Sequence, residues 1–87
     1  MKTFTVFACE AQPIVLEGLS KVLFDNPEFE LVGSASNPTS ASPSIGVLQP
    51  SIVLLDTAGG LKATLQFLGE LKFLAPACQA ILWVNDL

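Results

Sequence analysis

The chain has 87 residues, room for one small domain, and a domain of this size buries a smaller share of its surface than an average one. It carries four scattered lysines, no arginine, no histidine and a net charge of −4, which excludes the clustered basic footprint of a nucleic-acid binder, histidine-based catalysis and histidine-ligated metals. Hydrophobic residues make up 51%, yet no apolar run approaches the ~18–20 residues of a membrane span, and Met1 to Phe7 lacks the pattern of a signal peptide, so a cytoplasmic location is expected.

Thr3 to Cys9 is apolar and rich in β-formers and predicts a first strand. Cys9-Glu-Ala-Gln12 is a short polar break, and Pro13 suits the first turn of a helix. Ile14, Val15, Leu16, Leu19, Val22, Leu23 and Phe24 recur at helical spacing up to Asn26-Pro27, which stops the helix. Phe29-Glu-Leu-Val-Gly33 predicts a second strand, short and polar enough for an edge. Ser34 to Ser44 is rich in Ser, Pro, Ala and Asn and predicts a loop or a loose surface helix ending near Leu48. After Gln49-Pro50, Ser51-Ile-Val-Leu-Leu-Asp56 is apolar without alternation, as in a strand buried on both faces. Leu61, Leu65, Leu68, Leu71 and Phe73-Leu74 form the apolar stripe of a third helix that Pro76 ends, and Ala80-Ile-Leu-Trp-Val84 predicts a fourth strand. The order βαβαβαβ implies a single domain, 1–87, built on a parallel sheet with helices on both faces.

Ligands of such sheets bind outside the carboxyl ends of the strands, so Asp56 marks the place to look for chemistry. The plainer reading is a carboxylate that caps the next helix or marks a turn. Gly59-Gly60 reads the same two ways, as an anion cradle at a helix N-terminus or as a turn, and Thr57 adds a hydroxyl of the kind common in turns. Cys9 and Cys78 have neither zinc spacing nor the spacing of a redox pair, and read as buried, inert thiols.

Ala8-Cys-Glu-Ala-Gln-Pro-Ile-Val-Leu-Glu-Gly-Leu19 resembles the opening of bacterial response-regulator receiver domains, in the branch that usually carries a helix-turn-helix output domain. In that branch a strand ends in two acidic residues, then His-Pro-Ile-Val, a charged residue and Glu-Gly-Leu. Pro13-Ile-Val15 and Glu17-Gly-Leu19 match, Phe29 to Gly33 looks like the second strand, and Gln49 to Asp56 looks like the third, which ends in the phosphoacceptor aspartate. The resemblance covers the whole chain. It implies a flavodoxin-like, CheY-like open parallel sheet in the order 2-1-3-4, lacking the last βα elements, with Asp56 as phosphoacceptor and Glu10 with Asp56 as candidate ligands of a weakly held Mg²⁺.

Several positions depart from the family's pattern. The second of the two acidic residues, its usual direct metal ligand, is Ala11 here. The hydroxyl that binds the phosphoryl group at the end of the fourth strand is replaced by Trp83, read as a packed aromatic or as a plug in the vacated pocket. Glu10 reads as a solvated loop carboxylate, with a residual metal ligand as the alternative. The family's lysine and last two helices would fall beyond Leu87, so the chain reads as a fragment or a shortened receiver.

These departures predict a degenerate receiver, a signalling and protein-interaction module that is not an enzyme and binds no cofactor. The alternatives are a working phosphoacceptor within a two-component system, which keeps Mg²⁺, and an unrelated α/β domain binding an anion at Gly59-Gly60. The expected partners are proteins or a second copy of the chain. Residues 80–84 carry no charge, Pro or Gly to discourage edge pairing, which predicts a homo-oligomer. Two free thiols are expected, because the strand between the first and fourth holds them ~10 Å apart.

Overall fold

The computed structural model describes residues 3–56 and 60–83, the side chains of Leu61 and Trp83 excepted. Seven elements alternate: β1 (Phe4–Cys9), α1 (Pro13–Phe24), β2 (Phe29–Ala35), α2 (Pro38–Leu48), β3 (Ile52–Asp56), α3 (Leu61–Leu74) and β4 (Gln79–Trp83). The strands form one parallel sheet in the order β2-β1-β3-β4, as expected. Right-handed crossovers put α1 on one face of this sheet and α2 and α3 on the other. Val84, expected to belong to the last strand, lies outside the described residues.

The two faces are unequally filled. Beneath α2 and α3, Phe7, Cys9, Val53 and Leu55 of the sheet pack against Ala41, Ile45, Phe67, Leu71 and Ala75. On the opposite face Val6 and Ala8 are buried, but α1 has no fully buried residue. Its Val15, Leu16, Leu19 and Leu23 are half-buried, while Ile14, Val22 and Phe24 point outward, so the apolar stripe read from the sequence is too wide. The α3 stripe needs a similar correction. Leu65 and Phe73 are exposed, whereas Thr64 and Phe67 turn inward with Leu71.

Residues 38–48 are helical despite a serine-rich sequence and Pro43 in the helix interior. Asn37 caps the helix, its Oδ1 accepting from the Ser40 amide at 2.8 Å, and Pro38 takes the first position, where no amide is needed. Burial of Ala41 and Ile45 supplies what local propensity does not. The helix ends at Gln49 in the left-handed region (φ 48°), and the Gln49 side-chain amide donates to Gly46 O and Leu74 O, tying the C-terminal ends of α2 and α3 together.

β2 sits at the sheet edge, as its polarity predicts, and extends two residues further than expected. Val6 pairs with Leu31 and Phe7 with Gly33, so Val32 is the extra residue of a bulge. Gly33 is required there by close approach. A Cβ at this position would lie 2.9 Å from Phe7 Cε2. Because Phe7 is fully buried, Gly33→Ala is expected to cost about 1–3 kcal/mol by overpacking, read as a lower urea midpoint at unchanged slope.

Candidate functional site

The carboxyl ends of the strands converge on one small cavity of about 220 Å³. Cys9 comes from the end of β1, Ala11 from the turn after it, and Asp56 from the end of β3. Ser36, Asn37 and Pro38 enter from the start of α2, Ala63 and Thr64 from the first turn of α3. Parallel strands feeding short turns into helix N-termini bring these residues together, although they are far apart in sequence. The β1 exit is held in place by the Glu10 amide, which donates to Ala35 O at 2.9 Å. Thr64 is fixed by its hydroxyl, which donates to Gly60 O at 2.9 Å.

Asp56 is therefore at the site, as the sequence predicts. Glu10 is not the solvated carboxylate expected of it: it is only 4% exposed, and its Oε1 accepts the Gln12 amide at 3.0 Å. It thus buttresses the turn that carries Ala11 and is not part of the cavity lining. Ala11 presents a methyl group to the cavity beside Asp56. Mg²⁺ requires several hard oxygen ligands in near-octahedral array, and among the described residues no three acidic or sulfur ligands gather into a metal-binding group. Asp56 and Glu10 are the carboxylates that end or follow the strands here, and Ala11 adds no third oxygen. Trp83 is the register partner of Asp56 on β4, at the same end of the sheet. Its side chain lies outside the described residues, so the plug reading does too, as do Thr57 and Gly59 of the two turn readings.

Both cysteines are free, as expected. Cys9 is buried, whereas Cys78 is only half-buried, against the expectation that both would be enclosed. Burial, reinforced by the negative charges of Glu10 and Asp56, pushes the Cys9 thiol up from 9.0 to about 11. Burial also raises Cys78, partly opposed by the Val53 amide. Between these two values for Cys9, the unfolded chain loses a proton that the folded chain keeps, so stability falls as pH rises. The contribution is intact below pH 9 and amounts to about 2–3 kcal/mol lost by pH 11. In a Cys78→Ser background, the stability gap between the parent and Cys9→Ala should narrow from pH 8 to pH 11 in urea titrations. A constant gap would contradict the assignment.

Sequence reasoning missed Ser36, Asn37 and Thr64 as neighbours of Asp56. The signal for the first two was the cap pattern Asn37-Pro38 ahead of α2, since a parallel sheet carries every helix start to the same end as Asp56. Thr64 was hidden by an apolar stripe drawn one position away from the true one.

Comparison with solved structures places the whole architecture. The receiver domain of the putative response regulator NarL from Mycobacterium tuberculosis superposes with a TM-score of 0.86 at 19% identity, over 99% of this chain and 69% of that one. The fold is that of a response-regulator receiver domain. The RcsB response regulator of Salmonella typhimurium, described for its conformational dynamism in DNA interaction, gives a TM-score of 0.85 at 19% identity over 99% of this chain. The chain spans 44% of the length of that RcsB chain. No protein-family model matches the sequence, and no curated protein does. The strand order and three helices agree with the receiver architecture as far as the described residues reach.

Proposed function

We propose that the chain is a degenerate receiver, a signalling module that works through protein contacts and transfers no phosphoryl group. The single observation that carries this reading is Ala11 in the wall of the Asp56 cavity. Transfer to a carboxylate develops charge on phosphoryl oxygens that must be neutralised by a cation or by preorganised donors. At this cavity Asp56 adds negative charge, and the position from which a second carboxylate would help hold a cation offers only a methyl group. Glu10 is turned to a structural task by its bond to the Gln12 amide. What supports the signalling half of the reading is the receiver fold itself. Its partners are proteins, a second copy of this chain among them, and its place is the cytoplasm. No helix among the described residues is long and apolar enough to cross a membrane.

The alternative is a working phosphoacceptor at Asp56, with Mg²⁺ held by Asp56 and Glu10. Acetyl phosphate in Mg²⁺ separates the two. The intact mass should stay unchanged, and beryllofluoride should produce no shift in the amide spectrum. Stoichiometric modification that disappears in Asp56→Asn would sink the degenerate reading.

A further inference from the structure

α2 is held firmly at one end and loosely at the other. In its C-terminal half Ile45 is fully buried, and Gly46 lets α3 come close, since a Cβ there would stand 3.7 Å from Leu74 Cδ2. The Gln49 side-chain amide donates to Gly46 O at 2.8 Å and to Leu74 O at 2.6 Å. In the N-terminal half the buried residue is Ala41, and a methyl group removes little apolar surface from water. Thr39 and Ser40 are exposed, and Pro38 and Ser42 are half-buried. Pro43 stands between the two halves. It has no N–H to donate to Thr39 O, so the helix loses one of the bonds that join its first turn to the rest. Ser42 Oγ donates to Pro38 O at 3.1 Å, a back-bond of the kind that bends helices, at the same place. The N-terminal halves of α2 and α3 also stand apart. A groove of about 410 Å³ separates them, with Pro38, Thr39 and Pro43 on one side and Ala63, Gln66 and Phe67 on the other. Pro38 and Ala63 line both this groove and the Asp56 cavity.

We infer that residues 37–42 are a movable wall of the Asp56 cavity, hinged at Pro43 and swinging across the groove between α2 and α3. The missing bond from position 43 to Thr39 O places the hinge, the Gln49 tie fixes the far end, and the groove supplies the room. Asn37 and Pro38 form one side of the cavity, and Asp56 and Thr64, on β3 and α3, form the other. A swing toward α3 narrows the groove and carries Asn37 and Pro38 over the cavity. The opposite swing lets solvent reach Cys9, which lines the cavity and packs in the same core cluster as Ala41. Opening uncovers little apolar surface besides the Ala41 methyl group, which puts this half-helix among the segments that open locally while the sheet stays folded. The wall governs access to Asp56 and not the chemistry there, so it stands whether or not Asp56 accepts a phosphoryl group.

Pro43→Ala supplies the missing donor and the best helix former, and should lock the wall. Hydrogen exchange reads the hinge. In the parent the amides of Ala41 and Ser42 should exchange ~10-fold or more faster than those of Ile45 and Gln49, and Pro43→Ala should close most of that gap. Cys9 reads the cavity, because in a Cys78→Ser background it is the sole thiol. Iodoacetamide at pH 8 should label it at a rate that low urea leaves unchanged, the mark of a local opening. Pro43→Ala in the same background should slow this labelling by ~10-fold or more. Ser44→Ala, an exposed position one residue past the hinge, should leave both readouts close to the parent's. Labelling that climbs with urea from the outset, as steeply as global unfolding, overturns the inference. So do equal labelling rates in the parent and Pro43→Ala, uniform exchange along α2, or a Ser44→Ala effect as large as that of Pro43→Ala.

Discussion

Ala11→Asp is expected to raise Mg²⁺ affinity by about tenfold or more, reflecting the sensitivity of cation sites to a single carboxylate. Position 11 lines the same cavity as Asp56, so the new carboxylate would stand beside it without any rearrangement of the strands. Two signs follow. Without metal, a second negative charge next to Asp56 is repulsive, and the variant should melt below the parent. With Mg²⁺, binding to the folded state alone restores stability, so the melting temperature of the variant should climb with metal concentration while that of the parent stays flat. Titration calorimetry and thermal melts in Mg²⁺ measure both. Equal Mg²⁺ dependence in the two proteins would mean that position 11 is not where the cation is won or lost. A gain in affinity unaccompanied by phosphorylation would point to the Trp83 position as the second defect.

The sequence made the sheet legible because each strand is a short apolar run closed by a turn, and because βαβ crossovers permit so few topologies. Asp56 could be placed at the site for the same reason, since a carboxylate ending a buried parallel strand has to emerge at the carboxyl edge. Three features stayed hidden. The helical state of residues 38–48 depends on burying Ala41 and Ile45 against the sheet, a tertiary effect that overrides a serine-rich, proline-interrupted sequence. The burial of Glu10 follows from its side chain folding back on the Gln12 amide, and nothing in Cys9-Glu-Ala-Gln12 distinguishes that from a carboxylate pointing at water. The inward face of α3 was misjudged because Phe67 and Phe73 are both aromatic, and periodicity alone, with Leu at 65, 68, 71 and 74, fits two stripes about equally well.

Phe67→Ala and Phe73→Ala, six residues apart on α3, should behave as opposites. Phe67 is 1% exposed, wedged among residues of the core cluster that joins α2, α3 and the sheet. Phe73 is 89% exposed. Removing the Phe67 ring forfeits its transfer free energy and leaves a cavity between α3 and the strands, a loss of about 3–5 kcal/mol. A domain of this size holds a total stability on the order of 5 kcal/mol, so Phe67→Ala should be largely unfolded at 37 °C. The effect should reach the site before the chain unfolds, because Thr64, one turn earlier on the same helix, lines the Asp56 cavity. Partly folded Phe67→Ala samples should therefore show loss of amide protection at the start of α3 ahead of β1. Phe73→Ala removes a ring that already lies in water and swaps an aromatic for the best helix former, so its stability should be unchanged or raised by about 0.5 kcal/mol. Urea titrations of both variants read the contrast directly. Comparable losses at the two positions would mean that the inward face of α3 is assigned to the wrong side of the helix.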